Sequence, residues 1–247
     1  MLHTELFSTP VSFASVSDIR EQLLESIPPR THMVHIVSLN PENLIRMKHN
    51  SEFEKVVRTT RMHLPDGIGT TIALHILKGV SVARLTGVDT MDMLIGQASK
   101  RSLQILLIGG KGNLAEKTAD CYKSRYKNLP IWAVTGYQNI FDPHESETKH
   151  IETIVRSIKP HLIFVSFGSP QQEIWIERHR DLFQGCVVMG VGGAFAMVSG
   201  ELPRAPRLVR IVGLEWLYRL VREPWRIWRQ LKLAVFIVMV VRERLGK

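Results

Sequence analysis

Along the first 200 residues, short apolar runs alternate with longer segments whose apolar positions recur at helical spacing. The runs are Met33–Ser38, Ser81–Leu85, Leu103–Ile108, Ile131–Val134, Leu162–Phe167 and Val187–Val191. They are near-continuously apolar, the pattern of strands buried on both faces. Helices are predicted over Pro41–Lys48, Gly67–Leu77, Thr90–Lys100, Asn113–Tyr126, Glu145–Ile158 and Gln171–Arg178. Strand–helix alternation of this kind predicts an α/β fold with a mostly parallel sheet flanked by helices. The chain shows no internal repeat.

In such a sheet, ligands bind beyond the carboxyl ends of the strands. The loops at those ends therefore carry the candidate chemistry. They read SLNPEN from Ser38, GGKGN from Gly109, TGYQNIFDP from Thr135, GSPQQE from Gly168 and GVGGAF from Gly190.

Near Glu201 the pattern changes. ELPRAPR reads as a linker, and LVRIVGLEWLYRLVRE and PWRIWRQLKLAVFIVMVV follow as two helices divided by Pro224. Proline suits the first turn of the second helix, where its missing N–H costs nothing. The chain is thus divided into an α/β body, residues 1–200, and a basic helical appendage, residues 201–247.

Charge sharpens this division. Arg204–Lys247 holds nine Arg and two Lys against three Glu, a net +8, and the first 203 residues carry only +1 of the total +9. Basicity belongs to the appendage, not to the whole surface. Arg219, Arg222, Arg226 and Arg229 share one helix face if Pro224 only kinks the axis, with Trp225 and Trp228 beside them. The apolar run Leu233–Val241 has nine residues, whereas a membrane span needs about 20. Basic and aromatic residues beside a short apolar segment suit a helix lying in the headgroup region of an anionic membrane. A docked core helix with a solvated Arg face is the plainer alternative. Lipid and a homo-oligomer are two ways of burying such a tail. A nucleic-acid arm would waste the apolar run, and no nucleic-acid partner is expected.

The two cysteines, Cys121 and Cys186, have neither disulfide-framework nor metal spacing. The start, MLHTELFSTPVSF, lacks a basic segment followed by an apolar one, so the body is expected in the cytoplasm. Histidines are scattered, without H-E-x-x-H or a Cys/His cluster, and no Asp-x-Asp occurs; no metal site is expected.

Each motif has two readings. In LPDGIG, Asp66 either caps the following helix or serves as a general base at the sheet rim. In LLIGGKGN, Gly109 and Gly110 either cradle a phosphate or make a tight strand-to-helix turn. After Gly168, the residues Gln171, Gln172 and Glu173 crowd a helix start, where an acid is favoured by the dipole and two amides can bind a ligand. In ARLTGVDTMD, Arg84 pairs with a phosphate or with Asp89 or Asp92.

Together PDGIG, RLTGVD, LLIGG, TGYQNIFDP, GSPQQE, GVGGAF, RAP and LEWLYRL, in this order, resemble the WecG/TagA/CpsF family of bacterial glycosyltransferases. The resemblance runs from about Val34 to Gln230. It implies a Rossmann-like body and an inverting, metal-independent transfer. The sugar, N-acetylmannosamine, its uronic acid or glucose, would pass from a UDP-sugar to a polyprenyl-diphosphate-linked saccharide at the inner face of the membrane. No cofactor is implied. The resemblance makes Asp66 the base and assigns Ser38, Asn40 and Gln172 to the catalytic set. Substrate contacts are expected from Arg84, Gly109, Gly110, Tyr137, Gly168, Gln171, Glu173, Gly192 and Gly193, and from the tail arginines Arg207, Arg219 and Arg222. The chain departs from the family pattern at Ser38 (usually Thr), Gln171 (usually Lys) and Ala196 (usually acidic or polar). The departure at Ala196 keeps a catalytically degenerate member as the alternative. A nicotinamide-dependent oxidoreductase would need G-x-G-x-x-G after the first strand, and SLNPEN does not supply it.

Overall fold

Five of the six apolar runs become strands of one eight-stranded sheet, and none of the runs predicts its inner strand over Met62–Pro65. The computed structural model describes residues 1–24 and 31–246. Its strands are β1 (Leu2–Leu6), β2 (Thr9–Phe13), β3 (Val34–Leu39), β4 (Met62–Pro65), β5 (Ile105–Gly109), β6 (Ile131–Val134), β7 (Leu162–Ser166) and β8 (Val187–Gly190). The order across the sheet is β1-β2-β4-β3-β8-β7-β5-β6, with every neighbouring pair parallel except the β1–β2 hairpin.

Alternate strand residues feed opposite faces. Ile105 and Leu107 pack with α5 (Gly87–Ser99) and α6 (Leu114–Arg125). Leu106 and Ile108 pack with α7 (Glu145–Ile158) and α8 (Gln171–Arg178). Helices on both faces bury a sheet whose strands read as unbroken apolar runs. The expected α/β class is therefore what the chain forms.

Ser81–Leu85 is not a strand. It runs as a loop whose Leu85 N–H donates to Pro65 O at 3.1 Å. The place beside β4 is already occupied on both sides, by β3 and by β2, where Phe13 is in register with His63. The hairpin that fills this edge has no counterpart among the apolar runs, because Leu2–Leu6 alternates in exposure and is short. Its two-residue turn, Phe7–Ser8, has both residues at positive φ, 51° and 59°, which matches the twist of a tight hairpin. Helices α1 (Val16–Leu24) and α3 (Ser51–Thr59) also lie outside the expected set. The helix expected from Thr90 begins three residues earlier, at Gly87, because Thr86 caps it and accepts from Asp89 N at 3.2 Å.

Beyond the sheet come α9 (Ala194–Val198), α10 (Arg207–Ile211), α11 (Glu215–Arg222), a short turn at Pro224–Arg226 and α12 (Ile227–Arg244). The break at Pro224 is where the sequence places it. The last helix is not a free arm. It packs against α2 (Pro41–His49) and α4 (Ile68–Lys78). Its Phe236 and Val240 are buried with Phe7, Val11, Leu44 and Leu74. Composition alone separates residues 201–247 from the body, yet α12 shares a core with it. The side chains of Arg226 and Arg229, half of the expected arginine stripe, lie outside the described residues. No helix among the described residues is long and apolar enough to cross a membrane.

Candidate active site

Strands β4, β3, β8 and β7 are adjacent and parallel, so the loops after them meet at one rim. There they surround a cavity of about 1230 Å³. The register Leu39↔Pro65 sets the residues following β3 and β4 side by side. Asp66 N donates to Leu39 O at 3.2 Å, and Thr70 Oγ1 donates to the same carbonyl at 2.9 Å. Asp66 and Asn40 are thereby fixed as neighbours on the cavity wall.

Asp66 does not cap α4. Gly67 occupies the N-cap position, at φ 80°, and no side chain closes that helix end. The carboxyl lines the cavity and is partly accessible from it. Desolvation pushes its pKa up to about 7; Arg84 opposes the rise, and Glu215 and Asp89 add to it. A carboxylate tuned to this range is poised to accept a proton at neutral pH.

Ser38 is 8% exposed, and its buried hydroxyl has no hydrogen-bond partner among the described residues. Such a group is costly unless a ligand satisfies it, and Ser38 lines the cavity. Asn40 Oδ1 accepts from Asn43 N at 2.9 Å and caps α2, while Asn43 Nδ2 donates to Ser38 O at 2.8 Å. Asn40 is thus first a cap that shapes the wall.

Gln172 joins two loops. Its Oε1 accepts from Gly168 N at 3.2 Å, after β7, and from Gly192 N at 3.0 Å, after β8. Its Nε2 donates to Glu173 Oε1 at 2.7 Å. Glu173 is fully buried, and burial pushes its carboxyl up despite the amide of Gln172. A Cβ at Gly190 would lie 2.6 Å from Gln172 Nε2, so this position needs glycine for close approach.

Of the residues expected from sequence, Ser38, Asn40, Asp66, Arg84, Gly168 and Gln172 line the cavity, as do Glu173, Gly192, Gly193 and Arg219. Gly109, Gly110, Tyr137, Gln171, Arg207 and Arg222 do not line it. Gly109 and Gly110 have positive φ, and added Cβ atoms would strike Phe167 at 2.6 Å and Leu114 at 2.8 Å respectively. They form the tight turn rather than a wall of this cavity. The Tyr137 hydroxyl accepts from Trp175 Nε1 at 3.0 Å, and its ring packs on Phe167. Arg222 stacks over the Tyr218 ring. Arg84 Nη2 donates to Arg210 O at 2.5 Å, which turns its guanidinium to the appendage rather than to Asp89 or Asp92. Ala196 lies outside the cavity lining, next to Ala194 and Met197, which belong to it.

Two contributors escaped sequence reasoning. Arg46, on α2, lines the cavity and donates to Ser169 O and, at 2.7 Å, to Glu42. Its i,i+4 pairing with Glu42 gives it the look of an ordinary surface ion pair. Glu215, in LEWLYRL, brings a second carboxylate to the cavity from α11. The signal was its place in that motif, but an acid among arginines reads as charge balance.

A family model, the glycosyl transferase WecG/TagA/CpsF family, matches residues 4–247. The chain belongs to this glycosyl transferase family. Three relatives carry the name N-acetylglucosaminyldiphosphoundecaprenol N-acetyl-beta-D-mannosaminyltransferase. The protein from Bacillus subtilis (strain 168) is 30% identical over 86% of this chain and 80% of its own. That from Staphylococcus aureus (strain MW2) is 29% identical over 87% and 82%. That from Bacillus spizizenii is 28% identical over 84% and 78%.

Proposed function

We propose that this glycosyltransferase moves a sugar of the N-acetylmannosamine class from a UDP-sugar to a polyprenyl-diphosphate-linked N-acetylglucosamine, with inversion and without a metal. The relatives' names supply the transferred sugar and the acceptor. The observation that carries the reading is Asp66. Its carboxyl lines the rim cavity with a pKa pushed up to about 7, and the buried Ser38 hydroxyl, without a partner among the described residues, belongs to the same lining.

In one displacement, the acceptor hydroxyl attacks the anomeric carbon as its proton passes to Asp66. A base so placed contributes about 10²–10⁴-fold. The bond from the anomeric carbon to the UDP oxygen breaks, and negative charge grows on the leaving diphosphate. The N-termini of α2, α4 and α8 open towards the cavity, and Arg46, Arg84 and Arg219 line it. Helix ends and guanidinium groups stabilise such charge.

The appendage supports work at the inner face of an anionic membrane. Leu208, Val221, Trp225 and Trp228 are each more than two-thirds exposed, among arginines. Apolar and aromatic side chains mixed with basic ones are suited to the headgroup region.

The test is UDP release from a panel of UDP-sugars, with and without the lipid-linked acceptor in vesicles, for wild type and Asp66→Asn. Acceptor-dependent release from one donor, abolished in the variant, is expected. Release that survives the substitution would remove Asp66 from the mechanism.

A further inference from the structure

The rim cavity does not end at the sheet. It continues between α4 and α12, where Ile72 and Ile76 line one wall and Ile237 and Val241 the other, with Leu245 beyond. Each pair is spaced i,i+4 and so lies on one helix face. All four side chains are roughly half exposed, from 43% to 56%. Their neighbours on α12, Phe236 and Val240, are buried in the core. The helix is therefore held in place, with an apolar wall turned to an open groove.

Position says what fits. The groove is one continuous space with the wall carrying Asp66 and Ser38. From the start of α4 at Ile68 to Ile76 the helix rises roughly 12 Å. An occupant with its polar end at Asp66 would thus meet apolar wall within that distance. A linear hydrocarbon joined to a diphosphate sugar has this order of parts. Lys232, on α12 and 3.7 Å from Glu42, and Arg219 line the same cavity and supply cations for the negative diphosphate.

We propose that the first isoprene units of the lipid-linked acceptor lie in the α4–α12 groove, so that α12 forms part of the acceptor site as well as facing the membrane. This rests on the acceptor class proposed above. It assigns Ile72, Ile76, Ile237 and Val241 to recognition of the chain rather than of the sugar.

The test uses N-acetylglucosamine diphosphates bearing one to four isoprene units, below their aggregation limits and without vesicles. For wild type, the acceptor KM is expected to fall at least about tenfold over the first three units, as apolar surface is buried. In an Ile76→Ser, Ile237→Ser double variant, that dependence flattens to about threefold or less. The KM for the donor stays unchanged, and the melting temperature reports that the variant folds. An equal dependence in both proteins, or none in wild type, overturns the proposal. A dimer in solution that is lost in the variant also overturns it, because a second copy would then be the occupant. A diazirine on the first isoprene unit separates this idea from the proposed reaction. Crosslinks to α4 or α12 without any transfer would uphold the groove and sink the reaction. Crosslinks confined to other elements would sink the groove even where transfer occurs.

Discussion

Gln172 Nε2 donates to Glu173 Oε1 at 2.7 Å, while Gln172 Oε1 holds the amides of Gly168 and Gly192. One side chain thus sets the spacing of two loops that wall the cavity, and the buried acid behind it sets the amide's orientation. This makes Gln172 a positioning residue. Gln172→Ala is expected to lower kcat/KM by about 100-fold, because misplacing a wall by an ångström costs that much. It should also cost about 1 kcal/mol of stability, because two half-buried amides lose their acceptor. Glu173→Gln keeps an oxygen facing Gln172 and is expected to retain most activity, whereas Glu173→Ala is not. Steady-state kinetics beside thermal melts check all three. Equal losses in the Gln and Ala variants of Glu173 would mean that its charge matters, not its acceptor oxygen.

Asp66 is destabilising where it is ionised. Its folded pKa, about 7, stands above the ordinary aspartate value of 3.8, so the folded state holds the proton more tightly. Stability is then greatest below about pH 4 for this group and falls as pH rises through 7. Asp66→Asn removes that burden. The variant is expected to be more stable than wild type at pH 8, by on the order of 1–2 kcal/mol after allowing for cavity water. The advantage should shrink towards pH 5. Denaturant melts across this range decide it, and a pH-independent difference would show that the carboxyl's charge is not the cause.

The same group should shape the acid limb of kcat/KM. Asp66 acts when deprotonated, so rate rises with pH through its pKa. Arg84 lowers that pKa and Glu215 raises it. Glu215→Gln is therefore expected to move the limb to lower pH, and Arg84→Met to move it higher. Opposite shifts in two variants are hard to obtain from general damage. Limbs that stay where wild type has them would detach both residues from the base.

Much of this was legible in the chain. Strands such as Ile105–Gly109 and Leu162–Ser166 announce themselves because burial on both faces leaves no polar position. Gln172 draws attention because it follows such a strand, whereas Asp66 stands out only through LPDGIG, since β4 (Met62–Pro65) is not among the apolar runs. The β1–β2 hairpin was not legible, since one exposed face and five-residue strands give too little signal. Gly109 and Gly110 show the limit of motif reading: a phosphate loop and a tight turn ask for the same glycines, and the close approach of Phe167 to Gly109 and of Leu114 to Gly110 appears only in three dimensions. Arg84 lines the cavity and also holds a backbone carbonyl 126 residues away, a relation no local pattern carries.

The tail yields the last prediction, and here charge and packing pull apart. Composition suggests that residues after Pro203 can be removed to leave an intact body. The structure places Phe236 edge-on to Phe7, with ring centroids 6.0 Å apart, and Phe7 N donates to Glu243 Oε1 at 3.2 Å. Removing α12 therefore uncovers the hairpin turn and the faces of α2 and α4. Phe236→Ala alone is expected to cost about 3–5 kcal/mol, the usual loss for an aromatic deleted from a core. A chain ending at residue 226 should melt lower still. The exposed tryptophans should behave oppositely. Replacing Trp225 and Trp228 by Ala is expected to leave the melting temperature unchanged and to weaken sedimentation with anionic vesicles, since these rings touch solvent and not the core. If the truncated chain melts at the wild-type temperature, α12 is an arm after all, and the groove that it walls loses its fixed side.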